Sequence, residues 1–373
     1  MLVWRGLLYR QPGIAQAISH PLGRAIQSLS PCLPNDQLQT IRLTQSSHPF
    51  DALTPDTVID AIEAEGFYCD GRIYPLNSYE NRVYQVGIED GQPIIAKFYR
   101  PERWSQEQLQ EEHDFCLELA AEDFPVVAPL LNDQGESLRQ QHGFNVALYP
   151  RRGGQAPELD FGDNLEIMGR FLGRLHNVGY LKPFEYRPAI TVEDFAISSS
   201  RFLLEQQFIP IELRPAYESL IDDLIPRLQE AFAAVSFETL RLHGDCHPAN
   251  ILWRDDAPHF VDFDDARNGP AVQDIWMLLS GDQPQQQRQL EQVLRGYRQF
   301  CPFAGAELKL IEPLRTLRII NYSAWLARRW EDPAFPHNFT WFNSVRYWSD
   351  HVLSLREQQA ALQESPLKMP DFF

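Results

Sequence analysis

The chain has 373 residues, 44% of them hydrophobic, and a formal net charge of −18 at pH 7. This length and composition describe a folded protein with a large core rather than a disordered chain. No segment approaches the roughly 18 consecutive apolar residues of a membrane span, and the negative charge opposes binding to nucleic-acid phosphates. Five cysteines without a C-x-x-C pair are typical of a reducing cytosol and offer no zinc site. We therefore expect a monomeric cytoplasmic protein that binds neither membranes nor nucleic acids.

Residues 1–50 differ from the rest of the chain. They carry four arginines against a single acid, Asp36, and five prolines. We interpret them as a poorly ordered N-terminal extension, or as the result of a start codon placed too early; a functional arm is the less favoured alternative.

Residues 51–150 show the pattern of a small lobe rich in strands. Thr54 is a predicted N-cap for a helix that begins at Pro55. Two alternating segments joined by an Asp-Gly turn predict a β-hairpin over 83–99, and a helix is predicted from Ser105 to about Ala121. A further strand, Phe144–Pro150, ends at its proline.

Residues 151–373 are predicted to form a larger helical lobe after a hinge at 151–154. Apolar residues recur at three- and four-residue spacings in several segments. The predicted helices are Leu165–Val178, Leu213–Val235, one that begins at Val272, and Leu308–Trp330. The fold class predicted from this order is α+β, with a small β-rich N-terminal lobe and a larger α-helical C-terminal lobe.

One motif carries the predicted chemistry. Residues 243–250 read His-Gly-Asp-Cys-His-Pro-Ala-Asn, so Asn250 follows Asp245 by five residues, as in a kinase catalytic loop. Asp262 follows after one short connection. We predict that Asp245 accepts the proton of an acceptor hydroxyl, and that Asn250 and Asp262 bind Mg²⁺ through oxygen. Asp264 is a weaker candidate for a second ion, because an acid on the opposite phase of a strand more often faces solvent.

The other residues around this motif are predicted to be structural. Mg²⁺ has little use for imidazole, so His243 is expected to bind loop backbone, whereas His247 is ambiguous between scaffold and substrate contact. Cys246 is either an oxidisable thiol or, as we favour, a small buried side chain. Asp274 is expected to support the catalytic loop from below.

Lys97 ends a predicted strand of the small lobe. A strand lysine followed by a helix resembles the kinase arrangement in which lysine binds the α- and β-phosphates and pairs with a helix glutamate. We predict Glu112 as its partner, with Glu111 in reserve, because neighbouring helical residues point about 100° apart.

The segment that should cover the phosphates, residues 76–82, has no glycine. Backbone approach to phosphate is harder without glycine, so Ser78 and Asn81 are predicted to contact phosphate oxygens with their side chains. The alternative is an ordinary polar hairpin turn.

Four stretches together identify a family resemblance. They are Asn77–Tyr84, Lys97–Trp104, Leu240–Asp274 and Trp325–Pro336. These stretches resemble the bacterial stress response kinase A family, part of the aminoglycoside phosphotransferase-like group, in which His-Gly-Asp replaces the His-Arg-Asp of eukaryotic protein kinases. The resemblance covers the chain from about Leu53 to the C-terminal region.

The resemblance implies a bilobal protein-kinase-like fold with ATP between the lobes. It also implies an ATP- and Mg²⁺-dependent serine/threonine kinase that phosphorylates proteins, including itself, under stress. Carried onto this sequence, Asp245 and Asp262 are the catalytic residues and Asn250 and Asp262 the Mg²⁺ ligands. The nucleotide then contacts Ser78, with Lys97 and Glu112 in the cofactor-binding set.

Two rival hypotheses remain. A small-molecule kinase would use the same site on an aminoglycoside or metabolite hydroxyl. In that case its pocket would be lined by tryptophans that otherwise pack the core, namely Trp325, Trp330, Trp341 and Trp348. A pseudokinase would bind nucleotide without turnover, but the intact set of acids, amide and lysine speaks against it.

Overall fold

The structure, a computed structural model, describes residues 48–255 and 257–371. The predicted extension over 1–50 lies outside this range except for its last three residues. The first helix, α1 (Pro55–Glu63), is capped as expected, because the Thr54 hydroxyl accepts a hydrogen bond of 3.1 Å from the Thr57 N–H.

An antiparallel five-stranded sheet follows α1, with the strand order β1-β2-β3-β5-β4. Its strands are β1 (Cys69–Pro75), β2 (Arg82–Ile88), β3 (Ile94–Phe98), β4 (Arg139–Gln141) and β5 (Phe144–Pro150). The predicted hairpin is confirmed, since β2 and β3 pair with Val83 opposite Lys97. The sequence did not predict β1, which contains Gly71 at a positive φ and loses regular register there.

Helix α2 (Gln106–Ala121) connects β3 to β4, and its Leu109 packs with Tyr99 and Ala147 of the sheet part. A capping box starts it: the Ser105 hydroxyl accepts from the Gln108 N–H, and the Gln108 side chain accepts from the Ser105 N–H. This reciprocal pair satisfies two N–H groups that the helix itself cannot use. The helix therefore begins one residue after its predicted start and ends at Ala121.

The rest of the chain is mainly helical. Its helices are α3 (Asn164–Gly179), α4 (Ser198–Glu205), α5 (Arg214–Ala234), α6 (Val272–Trp276), α7 (Gln283–Tyr297), α8 (Ile311–Ala327), α9 (Ala334–Asn338) and α10 (Val345–Ala361). Two short strand pairs frame the catalytic motif, β6 (Leu240–Leu242) with β9 (Arg267–Gly269), and β7 (Ile251–Arg254) with β8 (Ala257–Phe260). The predicted α+β class with a β-rich first part and a helical second part is confirmed. The division into lobes at residue 150 stays a prediction.

Glycines set the distance between α3 and α7. A Cβ added at Gly169 would lie 2.0 Å from the carbonyl oxygen of Val293, and one at Gly296 would lie 2.0 Å from that of Glu166. At these two glycines the backbones of α3 and α7 are therefore in direct contact, whereas the backbones of most packed helices are separated by side chains. This contact fixes α3, which carries one of the residues that support the catalytic loop.

Replacing Gly169 with alanine tests this packing. Alanine is the better helix former by about 1 kcal/mol, yet we expect Gly169→Ala to lower the free energy of unfolding by about 1–3 kcal/mol because α3 and α7 must separate. Chemical denaturation measures the difference. The control Arg170→Ala, at a partly exposed position on the same helix that loses an ion pair with Glu166, should cost less than about 1 kcal/mol. A Gly169→Ala protein as stable as the wild type would contradict this account of the helix pair.

Among the residues that the structure describes, no helix has the length and apolar character needed to cross a membrane.

Candidate active site

The catalytic loop, residues 243–250, is held by one buried carboxylate. Asp274, on α6, is fully buried. Its Oδ2 accepts a hydrogen bond of 2.9 Å from the His243 N–H, and its Oδ1 accepts one of 2.9 Å from the Gly244 N–H. His176 of α3 lies 3.1 Å from the same carboxylate. The prediction that Asp274 supports the loop backbone is confirmed.

His243 joins the catalytic loop to the segment that carries Asp262. Its Nε2 donates to the carbonyl oxygen of Val261 at 3.0 Å, so Nδ1 is the acceptor for the Asp245 N–H at 3.4 Å. The predicted scaffold role of His243 is confirmed. Gly244 has a φ of +81°, and a Cβ there would lie 2.2 Å from the carbonyl oxygen of Asp265. The loop therefore requires glycine between the histidine and the aspartate.

Asp245 has a partner at each carboxylate oxygen. Its Oδ1 lies 2.6 Å from Nη2 of Arg318 on α8, and its Oδ2 lies 3.3 Å from Nε2 of His247. The Asn250 amide nitrogen donates to the Asp245 carbonyl oxygen at 3.0 Å. Burial alone would raise the pKa of Asp245, but the charge of Arg318 and the hydrogen bond from His247 hold that pKa well below its ordinary value.

The structure gives His247 a scaffold contact, and a substrate contact by His247 stays a prediction. Its Nδ1 accepts a hydrogen bond from the Ala249 N–H at 3.1 Å, so Nε2 carries the proton that faces Asp245. Cys246 is fully buried, as favoured, and burial raises the pKa of its thiol well above the ordinary value. Arg318 was missed, because it lies 73 residues after Asp245 and belongs to no motif.

Lys97 lies at the centre of three carboxylates. Its Nζ is 3.4 Å from Glu112 Oε1, 3.5 Å from Asp262 Oδ1 and 3.3 Å from Asp264 Oδ1. Burial would lower the pKa of Lys97, but the three carboxylates raise it well above its ordinary value, so the side chain remains a cation. The structure thus brings the strand lysine, its helix partner and the predicted metal-binding acid together.

Glu112, rather than Glu111, faces Lys97, as predicted. A second cation, Arg187, lies 3.2 Å from the other carboxylate oxygen of Glu112. Glu111 accepts hydrogen bonds from the backbone N–H groups of Glu185, Tyr186 and Arg187. Glu111 therefore holds the backbone of this segment, while Glu112 pairs with the side chains of Arg187 and Lys97.

Asp262 presents its carboxylate to the cleft. It follows β8 with a left-handed backbone, φ +63°, and 57% of its side chain is exposed. Its place at the cleft floor, partly shielded from bulk water, raises the pKa of Asp262, and the carboxylates of Asp264 and Asp265 raise it further against the opposing charge of Lys97. This concentration of negative charge favours a cation beside Asp262.

The expectation that Asp264 faces solvent is wrong. Strand β8 ends at Phe260, so strand alternation does not reach Asp264, which lies in a 3₁₀ turn and is only 5% exposed. It contacts Arg103, Lys97 at 3.3 Å and the Asn81 amide at 3.1 Å. Burial would raise the pKa of Asp264, but Arg103 and Lys97 hold it well below the ordinary value. Its side chain joins the two parts of the protein.

The glycine-free segment over 76–82 is fixed rather than open. The Ser78 hydroxyl donates to the Asn81 carbonyl oxygen at 2.6 Å. The Asn81 side chain donates to Asp264 and accepts from the Arg100 N–H at 3.0 Å. Both ends of this amide are therefore engaged by protein groups, which corrects the expectation that Asn81 contacts phosphate. A phosphate contact by Ser78 stays a prediction.

Glu80 connects the same segment to the C-terminal helices. Its Oε2 accepts from the Trp325 indole at 2.6 Å and lies 2.6 Å from Arg329 Nε. Next to it, Asp332 pairs with Arg82 at 3.2 Å and with Arg100 at 2.5 Å. We call these contacts of Glu80 and Asp332 the interlobe latch. They give a structural role to the stretch Trp325–Pro336.

Most of the C-terminal tryptophans pack rather than line a pocket. Trp348 is fully buried. Trp330 and Trp341 lie within an aromatic cluster around Phe342, with ring centroids 4.9 and 6.5 Å away. We therefore assign Trp330, Trp341 and Trp348 to core packing rather than to the acceptor pocket that the small-molecule alternative requires.

Asn250 and Asp262 fit a Mg²⁺ ion that enters the site bound to a nucleotide, rather than a metal ion that the protein holds by itself. Among the described residues, no group of three or more histidine, cysteine, aspartate or glutamate side chains is arranged to hold a metal ion alone. Asn250 uses its amide nitrogen toward Asp245, which leaves its oxygen for a cation, and Asp262 offers a carboxylate. Mg²⁺ normally takes one or two protein oxygens and completes its shell with phosphate and water.

Comparison with known sequences places the chain in a family. The sequence profile described as "Phosphotransferase enzyme family" matches residues 72–311. The chain is 44% identical over 331 residues, 89% of its length and 100% of the relative's, to "Stress response kinase A" of Salmonella choleraesuis. The chain belongs to the phosphotransferase enzyme family and, within it, to the stress response kinase A family. The sequence-based resemblance is confirmed, and the protein is a kinase.

Further relatives agree. Over the same 331 residues, and with the same coverage, the chain is 44% identical to "Serine/threonine protein kinase RdoA" of Salmonella typhimurium. It is 45% identical over 331 residues to "Stress response kinase A" of Escherichia coli K12.

Solved structures show the same fold at low sequence identity. An amicoumacin kinase in complex with AMP-PNP, Ca²⁺ and Ami matches with a TM-score of 0.64 and 18% identity, covering 85% of this chain and 96% of that one. A microcompartment-associated aminopropanol kinase matches with a TM-score of 0.61 and 18% identity, covering 82% and 98%. Both confirm the predicted kinase-like architecture.

Substitution of Asp274 tests the support beneath the catalytic loop. In Asp274→Asn, the amide nitrogen would face the N–H group of His243 or Gly244 and leave one buried donor without an acceptor. We expect a loss of about 1–3 kcal/mol in unfolding free energy, together with a lower kcat. Denaturation and steady-state phosphoryl transfer measure the two effects. The exposed acid Asp350 provides the control Asp350→Asn, which should change neither. Wild-type stability and kcat in Asp274→Asn would rule out the supporting role.

Proposed function

We propose that this kinase is an ATP- and Mg²⁺-dependent serine/threonine protein kinase of the cytoplasm. It phosphorylates itself and other proteins as a monomer, and it acts in the bacterial stress response. The observation that carries the proposal is the convergence of Lys97, Asp262 and the loop of Asp245 on one cleft. The names of relatives at 44–45% identity over their whole length support the protein-kinase assignment.

ATP supplies the transferable γ-phosphoryl group, and Mg²⁺ neutralises part of its charge. Lys97, fixed as a cation by Glu112, binds the α- and β-phosphates at the end of β3. Asn250 and Asp262 hold the ion through their side-chain oxygens, and Ser78 contacts the nucleotide from above. These groups place the phosphates before the reaction starts, which is the main protein contribution to phosphoryl transfer.

Asp245 orients the acceptor hydroxyl and receives its proton. As the serine or threonine oxygen bonds to the γ-phosphorus, the bond from that phosphorus to the β–γ bridging oxygen breaks, and its electron pair leaves with ADP. The hydroxyl proton passes to the Asp245 carboxylate and then to solvent. The low pKa of Asp245 makes it a weak base, so its role is chiefly orientation until the acceptor oxygen loses electron density late in the reaction.

Transfer to a small-molecule hydroxyl would use the same groups. Two of the similar structures carry the names of small-molecule kinases, an amicoumacin kinase and an aminopropanol kinase. At 18% identity these likenesses concern the fold. Small-molecule transfer is therefore the rival outcome in the experiment below.

Incubation with labelled ATP tests the proposed function. Wild-type protein should label itself and a generic protein substrate when Mg²⁺ is present, and chelation of Mg²⁺ should abolish labelling until the ion is restored. Asp245→Asn should lower kcat by about 100-fold or more while nucleotide still binds, because Asp245 is placed at the acceptor and not at the phosphates.

Asp222→Asn is the matched control, since Asp222 is an exposed acid on α5, and it should keep the wild-type rate. Labelling of small molecules alone would replace the protein-kinase proposal with the rival function. A near wild-type rate in Asp245→Asn would remove Asp245 from its role.

A further inference from the structure

Arg318 lies at the acceptor end of the site, yet the mechanism above gives it no role. It lies within α8, and its Nη2 is 2.6 Å from Oδ1 of Asp245. The pair is largely shielded, with 27% of the Arg318 side chain and 20% of the Asp245 side chain exposed. Such a pair contributes more than a solvent-exposed ion pair because water screens it less.

The ion pair places Arg318 beside the carboxylate that the acceptor hydroxyl needs. Arg318 lies 2.6 Å from Oδ1, and His247 lies 3.3 Å from Oδ2. Oδ1 accepts no hydrogen bond from the residues that the structure describes, and each carboxylate oxygen carries two lone pairs. An acceptor hydroxyl can therefore donate to Oδ1 while the charge of Asp245 keeps Arg318 next to it.

The guanidinium of Arg318 has N–H donors that Asp245 does not use, and these can bind a second anion. Arginine presents five N–H donors in a planar fork and stays charged at any accessible pH. Within residues 48–255 and 257–371, Asp245 is the one carboxylate within ion-pair distance of Arg318. The partly exposed edge can therefore bind a carboxylate or phosphate that enters with the acceptor.

A fixed positive charge at this place also disfavours amines. An ammonium group close to the acceptor hydroxyl would approach Arg318 across a few ångströms in a cleft with limited water, where like charges repel strongly. The carboxylate of Asp245 offsets part of this repulsion, but an ammonium group cannot accept a hydrogen bond from the guanidinium. Amino alcohols are therefore poorer acceptors for this site than anionic ones, although one similar structure is named an aminopropanol kinase.

We propose that Arg318 determines acceptor specificity: it selects a serine or threonine hydroxyl that has an oxyanion nearby, and it rejects acceptors that carry an amine. The oxyanion pairs with the free edge of the guanidinium and so holds the neighbouring hydroxyl at Oδ1 of Asp245. This inference rests on the proposed protein-kinase function and adds its substrate class.

Matched acceptors test the inference. Four are compared with Mg-ATP: a serine peptide flanked by aspartate, the same peptide with asparagine, the same with phosphoserine, and 1-amino-2-propanol. For the wild type we expect kcat/KM about tenfold higher for the anionic peptides than for the asparagine peptide, and no detectable transfer to the amino alcohol. The aspartate and phosphoserine peptides distinguish the two sources of the oxyanion.

Arg318→Gln should reduce the preference for anionic peptides to about one, mainly through a loss on those peptides. Arg318→Lys should keep part of the preference, because it retains the charge and loses the fork. Arg315→Gln is the control on the same helix. Arg315 pairs with Glu312 at 3.1 Å and lies outside the site, so its replacement should leave the preference unchanged. A melting-temperature shift on addition of Mg-ADP verifies that each variant is folded and binds nucleotide.

Two outcomes overturn the inference while the proposed function stands. One is a wild-type enzyme that phosphorylates all three peptides equally, and the other is an Arg318→Gln enzyme that keeps the anionic preference. If instead the wild type phosphorylates only the amino alcohol, the proposed function fails and the inference fails with it.

Discussion

The sheet part and the helical part of this kinase are joined through one buried carboxylate, Asp264. Asp264 comes from the helical part, but its partners Arg103, Lys97 and Asn81 come from the sheet part. A buried charge without partners would destabilise the fold by several kcal/mol. The contacts of Asp264 are therefore satisfied only when the two parts lie together, and the same contacts hold the Lys97 ammonium beside Asp262. The contacts that neutralise the buried charge of Asp264 are therefore also the contacts that align Lys97 with Asp262.

The glycine-free phosphate segment follows from the same arrangement. A glycine-rich loop approaches phosphate through flexible backbone, whereas here the segment is tied down at Glu80 and Asn81 by the interlobe latch and Asp264. Little backbone freedom remains to be lost when nucleotide binds, which lowers the entropic cost of binding. Side-chain donors such as Ser78 then replace backbone N–H groups as the candidates for phosphate contact.

The sequence predicted those parts of the site whose residues are close together along the chain. The spacing of Asp245 and Asn250 and the capped helix after Lys97 follow from local patterns. The role of Asp274 and the place of Lys97 beside Asp262 were predicted from likeness to kinases. Contacts between distant segments that no motif marks were missed. Asp264 was placed on a strand that ends four residues earlier, and Arg318 carries no local signal, because its partner is set by the packing of α8 against the catalytic loop. Ion pairs such as those of Asp264 and Arg318 form only in the folded protein, and the spacing of residues along the sequence does not predict them.

A double-mutant cycle between Arg103 and Asp264 tests the central claim most directly. Arg103→Met and Asp264→Asn would be made singly and together, and the free energy of unfolding measured for each by denaturation. Each single change should cost about 1–3 kcal/mol because a buried charge loses one partner, while Lys97 still contacts Asp264 and Asp265 still contacts Arg103. The double change should cost less than the sum by about 1 kcal/mol or more. Losses that simply add would show that the two side chains act independently, and the account of a charge pair joining the two parts of the protein would be wrong.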